Sequence, residues 1–199
     1  MLKSKKPHFG KSIKSLYSFK ELETLLNLRP FVNTTRFIPA GNYNYKWSGY
    51  SWQTDNNGWP ISCIKDVLSK QPAYIKDCSK ANKKINNICL KLEKIFNKPV
   101  DCHIYFSFKK GMKGFDKHKD KSHNYIVLCQ GKIKVEVWTD KKIEKVMNPG
   151  DYVFIPAEVY HRIVPLTEKR LSCSFPITLN ENIYFDEREW LTLWNKIKY

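Results

Sequence analysis

The second half of the chain, from Pro99 onwards, restricts the fold more than any other part of the sequence. It consists of short runs of Val, Ile, Tyr and Phe that are broken by Gly, Asp and Pro, without helical periodicity between them. These runs predict strands at residues 100–108, 123–130, 132–138, 143–147, 151–156, 159–164 and 170–177. Short strands at this spacing, with no helix between them, indicate an antiparallel barrel or sandwich.

The first half has a different composition and is expected to form a basic arm and a helical cap. Residues 1–15 are rich in lysine and are predicted to be a loose arm. Apolar residues at helical spacing predict helices at residues 17–28, 79–97 and 186–197. We therefore expect one compact unit, with the arm and cap at residues 1–99 and a barrel with a C-terminal helix at residues 100–199.

Three potential metal ligands lie in the β-rich half. His118 and Asp120 are two residues apart at the start of a predicted strand, so their side chains should point to the same face. His161 follows a second turn and can face them from a distant strand of a small barrel. Two imidazoles and one carboxylate on one face of a metal form the facial triad of non-haem Fe(II) oxygenases. The sequence therefore predicts an iron site at these three residues.

The turns around His161 resemble a motif of the cupin family. The spacing Gly150-x5-Pro156-x4-His161 matches the second cupin motif, except that Glu158 stands where a glycine is usual. The spacing Gly111-x6-His118-x-Asp120 approximates the first cupin motif.

The same half is similar to the JmjC-type, ribosomal-oxygenase-like branch of that superfamily. The matching residues are Ile104-Tyr-Phe-Ser107, Gly114-Phe115, His118-x-Asp120, Gln130-Gly131 and Trp138. The resemblance covers about residues 100–177. It implies a mainly β fold, a cupin double-stranded β-helix (jelly-roll) barrel, to which N-terminal helices and a C-terminal helix are added.

The resemblance also implies 2-oxoglutarate as a co-substrate, whose distal carboxylate needs a cation. In JmjC-type hydroxylases this cation usually lies two residues after the glycine that corresponds to Gly131, where this chain has Ile133. Arg170, nine residues after His161, has the spacing of the 2-oxoglutarate anchor in other oxygenase branches, and Ser172 lies on the same strand face. An arginine fork suits a carboxylate. We therefore predict Arg170 as the anchor, assisted by Ser172.

Other residues are further candidates for contacts with the co-substrate. Lys132 and Lys134 are alternative anchors if the strand register is shifted by one residue. Asn124 matches a position where some hydroxylases place an Asn beside the metal, and Ser107 belongs to the run that carries the resemblance. By contrast, His8, His103 and His123 are expected to be ordinary surface or edge residues.

The charge of the chain indicates negatively charged partners. It has 35 Lys+Arg and 19 Asp+Glu, a formal net charge of +16, with much of the excess in Lys3–Lys14 and Lys80–Lys94. Such clusters attract RNA, ribosomes or acidic protein surfaces. A lysine-rich composition without a binding role is the alternative, because no RNA-binding motif of the usual kinds is present.

The cysteines and the lack of long apolar runs indicate where the protein is located. Its six cysteines include no C-x-x-C pair, which argues against a disulfide framework and a structural zinc site. No apolar run approaches the length that spans a membrane. We expect a reducing, cytoplasmic (intracellular) environment and no membrane contact.

Together these features predict an Fe(II)/2-oxoglutarate-dependent oxygenase, a hydroxylase acting on a protein side chain, with ribosomal proteins as one substrate class. The aromatic residues Tyr45, Trp47 and Trp52 are predicted to contact the substrate. One alternative is another metal-dependent cupin enzyme acting on a small molecule. A second is a non-catalytic cupin module that binds RNA or a protein partner.

Overall fold

Two antiparallel sheets enclose the inner core of the protein. The computed structural model describes residues 6–12, 15–26, 35–37, 72–110, 112 and 114–178. The strands are β1 (His8–Lys11), β2 (Thr35–Phe37), β3 (Ala73–Ile75), β4 (His103–Ser107), β5 (Ser122–Gln130), β6 (Ile133–Trp138), β7 (Lys142–Met147), β8 (Asp151–Ile155), β9 (Tyr160–Pro165) and β10 (Arg170–Thr178). The helices are α1 (Phe19–Leu26) and α2 (Lys83–Phe96).

The larger sheet has the strand order β1-β8-β5-β10-β4-β3-β2, and the smaller sheet has the order β7-β6-β9. Apolar side chains from both sheets meet in the inner core, with Ile126, Leu128 and Val153 from the larger sheet and Val135 and Val137 from the smaller one. A second core, here called the outer core, lies on the other side of the larger sheet, where α1 and α2 cover it. The architecture is therefore mainly β with helical additions, as the sequence predicts.

Strand β10 contributes to both cores because its side chains alternate between the two faces of the sheet. Leu171, Cys173 and Phe175 pack in the outer core beneath the helices. Arg170 and Ser172 point to the opposite face and are also buried, at 2 % exposure each. Because β10 is buried on both faces, it brings polar side chains into the barrel, where they can contact a ligand.

The strands predicted in the second half are confirmed, and their observed ends differ from the predicted ones by no more than three residues. The loose arm predicted at residues 1–15 is wrong for β1, which pairs with β8 at the edge of the larger sheet. Lys11 forms an ion pair with Asp151. His8, expected to be an ordinary surface residue, has its Nδ1 2.8 Å from the hydroxyl of Tyr152. This strand has no clear apolar alternation, so its partner strand rather than its own sequence makes it extended.

Strands β1, β2 and β3 come from the first 99 residues and join strands of the second half in one sheet. We propose on this basis that residues 1–99 and 100–199 form one compact unit. The helix predicted at 186–197 lies outside the described residues. No helix in the described part of the chain is long and apolar enough to cross a membrane.

Gly131, at the turn between β5 and β6, is a position where we expect a large effect on stability. Its φ is +82°, and a Cβ atom would lie 2.2 Å from the backbone oxygen of Lys169. Gly131→Ala should therefore lower the free energy of unfolding by roughly 2–4 kcal/mol, measured by urea denaturation. The matched control is Lys132→Ala at the exposed neighbouring residue, which should change it by less than about 0.5 kcal/mol. Equal effects of the two substitutions would contradict this reading of the turn.

Candidate metal centre

The side chains of His118, Asp120 and His161 converge at one end of the barrel. Asp120 Oδ2 lies 3.5 Å from His161 Nε2 and 3.9 Å from His118 Nε2. One ligand atom from each residue lies within 4.8 Å of the other two. Within the described residues this is the one cluster of at least three His, Cys, Asp or Glu side chains that could hold a metal ion.

Backbone hydrogen bonds fix the loop that carries His118 and Asp120 against strand β9, which carries His161, and against the turn before it. The amide of His118 donates to the carbonyl of His161 at 3.0 Å, and the amide of His161 donates back to the carbonyl of His118 at 2.7 Å. The amide of Glu158 donates to the carbonyl of Asp120 at 2.8 Å. The bridge therefore adds His118 to the edge of β9 that β6 does not occupy, and the two imidazole rings lie side by side with centroids 4.3 Å apart.

The hydrogen bonds of both imidazoles are made by Nδ1, and the Nε2 atoms of the two rings lie on the side of Asp120. His118 Nδ1 is 2.7 Å from the carbonyl oxygen of Asp116, and His161 Nδ1 is 3.0 Å from that of Val159. A carbonyl oxygen only accepts, so each Nδ1 donates and Nε2 carries the lone pair in the neutral ring. Hydrogen bonds of this kind set the tautomer and orientation of metal-binding histidines.

The electrostatics of the cluster favour the neutral form of the buried histidine. Burial, followed by the proximity of His118, lowers the pKa of His161, although the carboxylate of Asp120 acts in the other direction. Asn124 Nδ2 donates to Asp120 Oδ2 at 2.6 Å and so orients the carboxylate. The set offers a buried imidazole that is favoured in its neutral form, a second imidazole and one oriented carboxylate.

Glu158, which replaces the usual glycine of the second cupin motif, has a left-handed backbone with φ of 62°. A glycine adopts this conformation without steric cost, whereas other residues do so rarely. The backbone shape that the motif requires is thus kept despite the substitution. The side chain of Glu158 points outwards and forms an ion pair with Lys119.

A cavity that is open to solvent extends from the three residues into the barrel. It is lined by Tyr105, Gly114, Phe115, His118, Asp120, Asn124, Ile126, His161, Ile163, Arg170, Ser172 and Ser174. The cavity therefore has the histidine and carboxylate cluster, an arginine with two serines, and apolar and aromatic walls between them.

Arg170 carries a buried positive charge in this cavity. Its Nη1 donates to Ser172 Oγ at 3.1 Å, while its Nε has no hydrogen-bond partner. Ser107, directly opposite Arg170 on β4, also has a buried hydroxyl without a partner. Burial lowers the pKa of Arg170 to about 10, so the group is still charged at neutral pH. No carboxylate of the described residues forms an ion pair with it.

The structure does not place the two alternative anchors in the cavity. Lys134 lies on the outer face of the smaller sheet, where its ammonium is 3.0 Å from Glu136 Oε1 and 3.6 Å from Glu144 Oε2. Lys132 is exposed and does not line the cavity. Of the three cations predicted as possible anchors, Arg170 is the one that lines the cavity.

Glu136, the partner of Lys134, carries a testable pH dependence. The hydrogen bond from Arg162 at 2.6 Å, together with contacts from Lys134 and Lys142, lowers the pKa of this buried carboxyl to about 2. Its charge therefore stabilises the folded state above pH 4.5, and this contribution is lost as the pH falls through about 2. Glu136→Gln should cost up to about 3 kcal/mol at pH 6 and progressively less below pH 4.5.

The measurement is urea denaturation of both proteins between pH 3 and pH 6. Glu144→Gln, at a more exposed carboxylate of the same sheet face, is the matched control and should cost less than about 1 kcal/mol. A loss for Glu136→Gln that is the same at pH 3 and pH 6 would contradict the assigned ion-pair role.

His103 and His123 do not belong to the cluster, and their contacts are structural. His103 Nε2 lies 3.2 Å from Asp101 Oδ2 at a strand end, as expected for an edge residue. The expectation of a surface position is wrong for His123, which packs on Phe154 and accepts a hydrogen bond from the amide of Ala157 at 2.7 Å. Burial lowers its pKa to about 4, so it stays neutral and acts as a structural residue of the β8–β9 turn.

Tyr105, Phe115 and Ser174 line the cavity and were not predicted as site residues, although Tyr105 and Phe115 belong to the runs that carry the resemblance. Tyr105 stacks on Tyr74 with ring centroids 5.0 Å apart, and the ring of Phe115 lies 5.6 Å from that of His118. Ser174 faces the cavity because it is two residues beyond Ser172 on the same strand. The strand alternation could have identified Ser174, whereas the aromatic wall depends on how β3 and β4 pair. Tyr45, Trp47 and Trp52 lie outside the described residues.

Comparison with solved structures finds proteins of similar fold. One structure of YcfD, a ribosomal oxygenase from Escherichia coli, matches 94 % of this chain at 16 % identity with a TM-score of 0.59. The complex of the same protein with cobalt and succinic acid also matches 94 % of the chain at 16 % identity, with a TM-score of 0.57. The chain spans about half the length of that protein, 50 % of it in both structures. No family model matches the chain, and no curated protein is similar to it in sequence. The comparison confirms the cupin-type fold.

Proposed function

We propose that the protein is an Fe(II)/2-oxoglutarate-dependent oxygenase, a hydroxylase that acts on a protein side chain. The observation that carries this proposal is the combination in one cavity of the His118, Asp120 and His161 cluster with a buried arginine that has no acidic partner among the described residues. The first group suits a divalent metal, and the second suits a carboxylate of a small ligand.

The cluster fits a first-row divalent metal ion by its chemistry and its spacing. Ligand atoms at neighbouring positions around a metal with bonds of about 2.1 Å are roughly 3 Å apart. The observed separations of 3.5 and 3.9 Å are close to this value and need only small side-chain rotations. Two imidazoles and one carboxylate favour Fe(II) among the metals that such sites use, and leave coordination positions open. When bound, iron would supply the activation of dioxygen, which no side chain can provide.

The other end of the cavity fits the distal carboxylate of 2-oxoglutarate. Arg170 offers a guanidinium with an unused Nε–H, and Ser172 lies 3.1 Å from its Nη1. The buried hydroxyl of Ser107 supplies a further donor on the facing strand. A carboxylate here would provide the counter-charge that none of the described residues supplies, so binding would remove the energetic penalty of an unpaired buried charge.

The walls between the two ends would orient the bound molecules and exclude water. Ile126 and Ile163 give an apolar surface, and Tyr105 and Phe115 cover the approach to His118. Asn124 holds the carboxylate of Asp120 in place through its hydrogen bond of 2.6 Å. These residues would keep the reactive centre dry and the ligands aligned, which is the contribution that a protein makes to metal-based catalysis.

The solved structures support the proposal in two respects. One similar protein is a ribosomal oxygenase, and one of its structures contains cobalt and succinic acid, a divalent metal and a dicarboxylic acid. The basic composition agrees with a substrate in a ribosomal assembly, because long-range attraction to polyanions raises the rate of encounter. We propose that Tyr45, Trp47 and Trp52 contribute to the binding of this substrate.

The test is to incubate the protein with ribosomes or cell lysate together with Fe(II), 2-oxoglutarate and oxygen. A gain of one oxygen atom on a defined protein side chain, found by mass spectrometry and absent with His118→Ala, would support the proposal. Turnover of 2-oxoglutarate that is stimulated only by low-molecular-weight fractions would favour a small-molecule cupin enzyme instead. Absence of any turnover with a metal-loaded protein would favour a binding module.

A further inference from the structure

Helix α2 has one face that the fold uses and another that it leaves free. Its buried residues Ile85, Ile88, Cys89, Leu92 and Phe96 pack in the outer core against the larger sheet. At 100° per residue these positions span about 100° of the helix circumference. The opposite side carries lysines, so α2 is amphipathic with a basic outer face.

The charged residues outside the buried stripe of this helix are almost all positive. Residues 79–98 contain six lysines and a single acidic residue, Glu93. The carboxylate of Glu93 accepts a hydrogen bond from the amide of Val100 at 3.0 Å, which directs it towards the end of the helix. The positive charge of the outer face is therefore not neutralised by its own helix.

Four of these lysines are not engaged by other residues in the described part of the chain. Lys80, Lys83, Lys94 and Lys98 form no ion pair with any residue in the described ranges, and we call these four the α2 lysine face. Lys84 differs, because its ammonium donates to the carbonyl of Ser15 at 2.8 Å. Four unpaired lysines at a helix and its two ends carry no evident role in stability.

We propose that the α2 lysine face binds the phosphate backbone of RNA. Lys83 and Lys94 lie on the same side of the helix and are eleven residues apart, which corresponds to about 16 Å along its axis. That distance spans several consecutive phosphates of a nucleic acid strand, and each neutralised phosphate releases condensed counterions. Lysine suits this partner, because its flexible ammonium can follow a backbone without requiring a fixed geometry.

The same face is poorly suited to the other negatively charged partners. The apolar stripe of α2 is buried, and Leu90, at 56 % exposure, is the one large apolar side chain exposed on it, so the helix has little to insert into a bilayer. Protein interfaces are depleted in lysine and enriched in aromatic residues and arginine, which this face does not contain.

The position of the face makes RNA binding independent of the proposed chemistry. α2 packs on the side of the larger sheet that faces away from the inner core, whereas the cavity opens between the two sheets. RNA bound to α2 would therefore leave the cavity accessible. A surface of this kind would bring a protein substrate in a ribonucleoprotein to the enzyme. RNA binding by α2 is thus a second activity, separate from the proposed hydroxylation.

The test is fluorescence anisotropy of a labelled RNA hairpin with the full-length protein between 50 and 300 mM salt. The double variant Lys83→Gln/Lys94→Gln should bind about tenfold or more weakly at 100 mM salt, and its slope of log affinity against log salt should decrease by about 2. The matched control is Lys141→Gln/Lys169→Gln, which removes the same charge at two exposed lysines of other loops and should bind nearly as wild type. Lys83→Arg/Lys94→Arg keeps the charge and should also bind normally.

Three results would overturn the inference. Equal losses in the two glutamine variants would show that attraction depends only on net charge. Stronger competition by polyglutamate than by unlabelled RNA would indicate an acidic protein as partner. Stronger binding to anionic lipid vesicles would indicate a membrane surface. His118→Ala should bind RNA as wild type, so the inference can fail or hold separately from the proposed function.

Discussion

The variants His118→Ala and His161→Ala are each expected to lose at least about 100-fold in affinity for Fe(II) while they remain folded. Loss of a residue that only orients a ligand typically costs 10–100-fold in metal affinity, and loss of a ligand itself should cost more. The fold should survive because the two histidines are held to each other by backbone hydrogen bonds, which alanine retains. The measurement is anaerobic isothermal titration calorimetry, with circular dichroism to verify the fold.

His103→Ala is the matched control for these variants. His103 is also a strand-end histidine, and it lies 3.2 Å from a carboxylate, Asp101 Oδ2, but it does not line the cavity. Its replacement should leave the Fe(II) affinity unchanged. Wild-type affinity in both His118→Ala and His161→Ala would contradict the assignment of the metal centre.

Arg170→Met is expected to have two opposite effects. Without its guanidinium, binding of 2-oxoglutarate should lose roughly 2–5 kcal/mol, which corresponds to one to several orders of magnitude in affinity. The ligand-free protein should become more stable by about 1–3 kcal/mol, because a buried charge without an ion-pair partner is replaced by an apolar side chain of similar length. An arginine with a purely structural role would give the reverse pattern.

Both effects can be measured with the same protein samples. Anaerobic titration with 2-oxoglutarate in the presence of Fe(II) gives the affinity, and urea denaturation without ligands gives the stability. Lys134→Met is the control, because Lys134 pairs with Glu136 on the outer face of the smaller sheet and should not affect the affinity. If Arg170→Met binds normally and Lys134→Met does not, the anchor of the co-substrate is wrongly assigned.

Local patterns in the sequence were sufficient for the elements and motifs that depend on them. The spacing of His118 and Asp120 and the turn before His161 predict side chains that the structure brings within 4.8 Å of one another. The alternation along β10 predicts that Arg170 and Ser172 share a face, and they are hydrogen-bonded at 3.1 Å. These relations extend over a few residues and follow from strand geometry.

Features that depend on long-range pairing were beyond the sequence. Strand β1 is extended because it pairs with β8, 140 residues away at Lys11 and Asp151. The stacking of Tyr105 on Tyr74 depends on the register of β3 with β4, and nothing near Tyr74 in the sequence indicates it. The absence of an acidic partner for Arg170 among the residues that the structure describes is likewise a property of the assembled barrel. It is this property that distinguishes a ligand anchor from a structural arginine.

The measurement that tests the central claim most directly is an anaerobic titration of the protein with Fe(II) and 2-oxoglutarate, followed by absorption spectroscopy. If the cluster of His118, Asp120 and His161 binds iron beside the 2-oxoglutarate site, a weak metal-to-ligand charge-transfer band should appear near the visible range. It should require both additions, saturate near one equivalent of Fe(II), be absent in His161→Ala, and need a much higher 2-oxoglutarate concentration in Arg170→Met. Binding of Fe(II) without any such band at saturating 2-oxoglutarate would contradict the account.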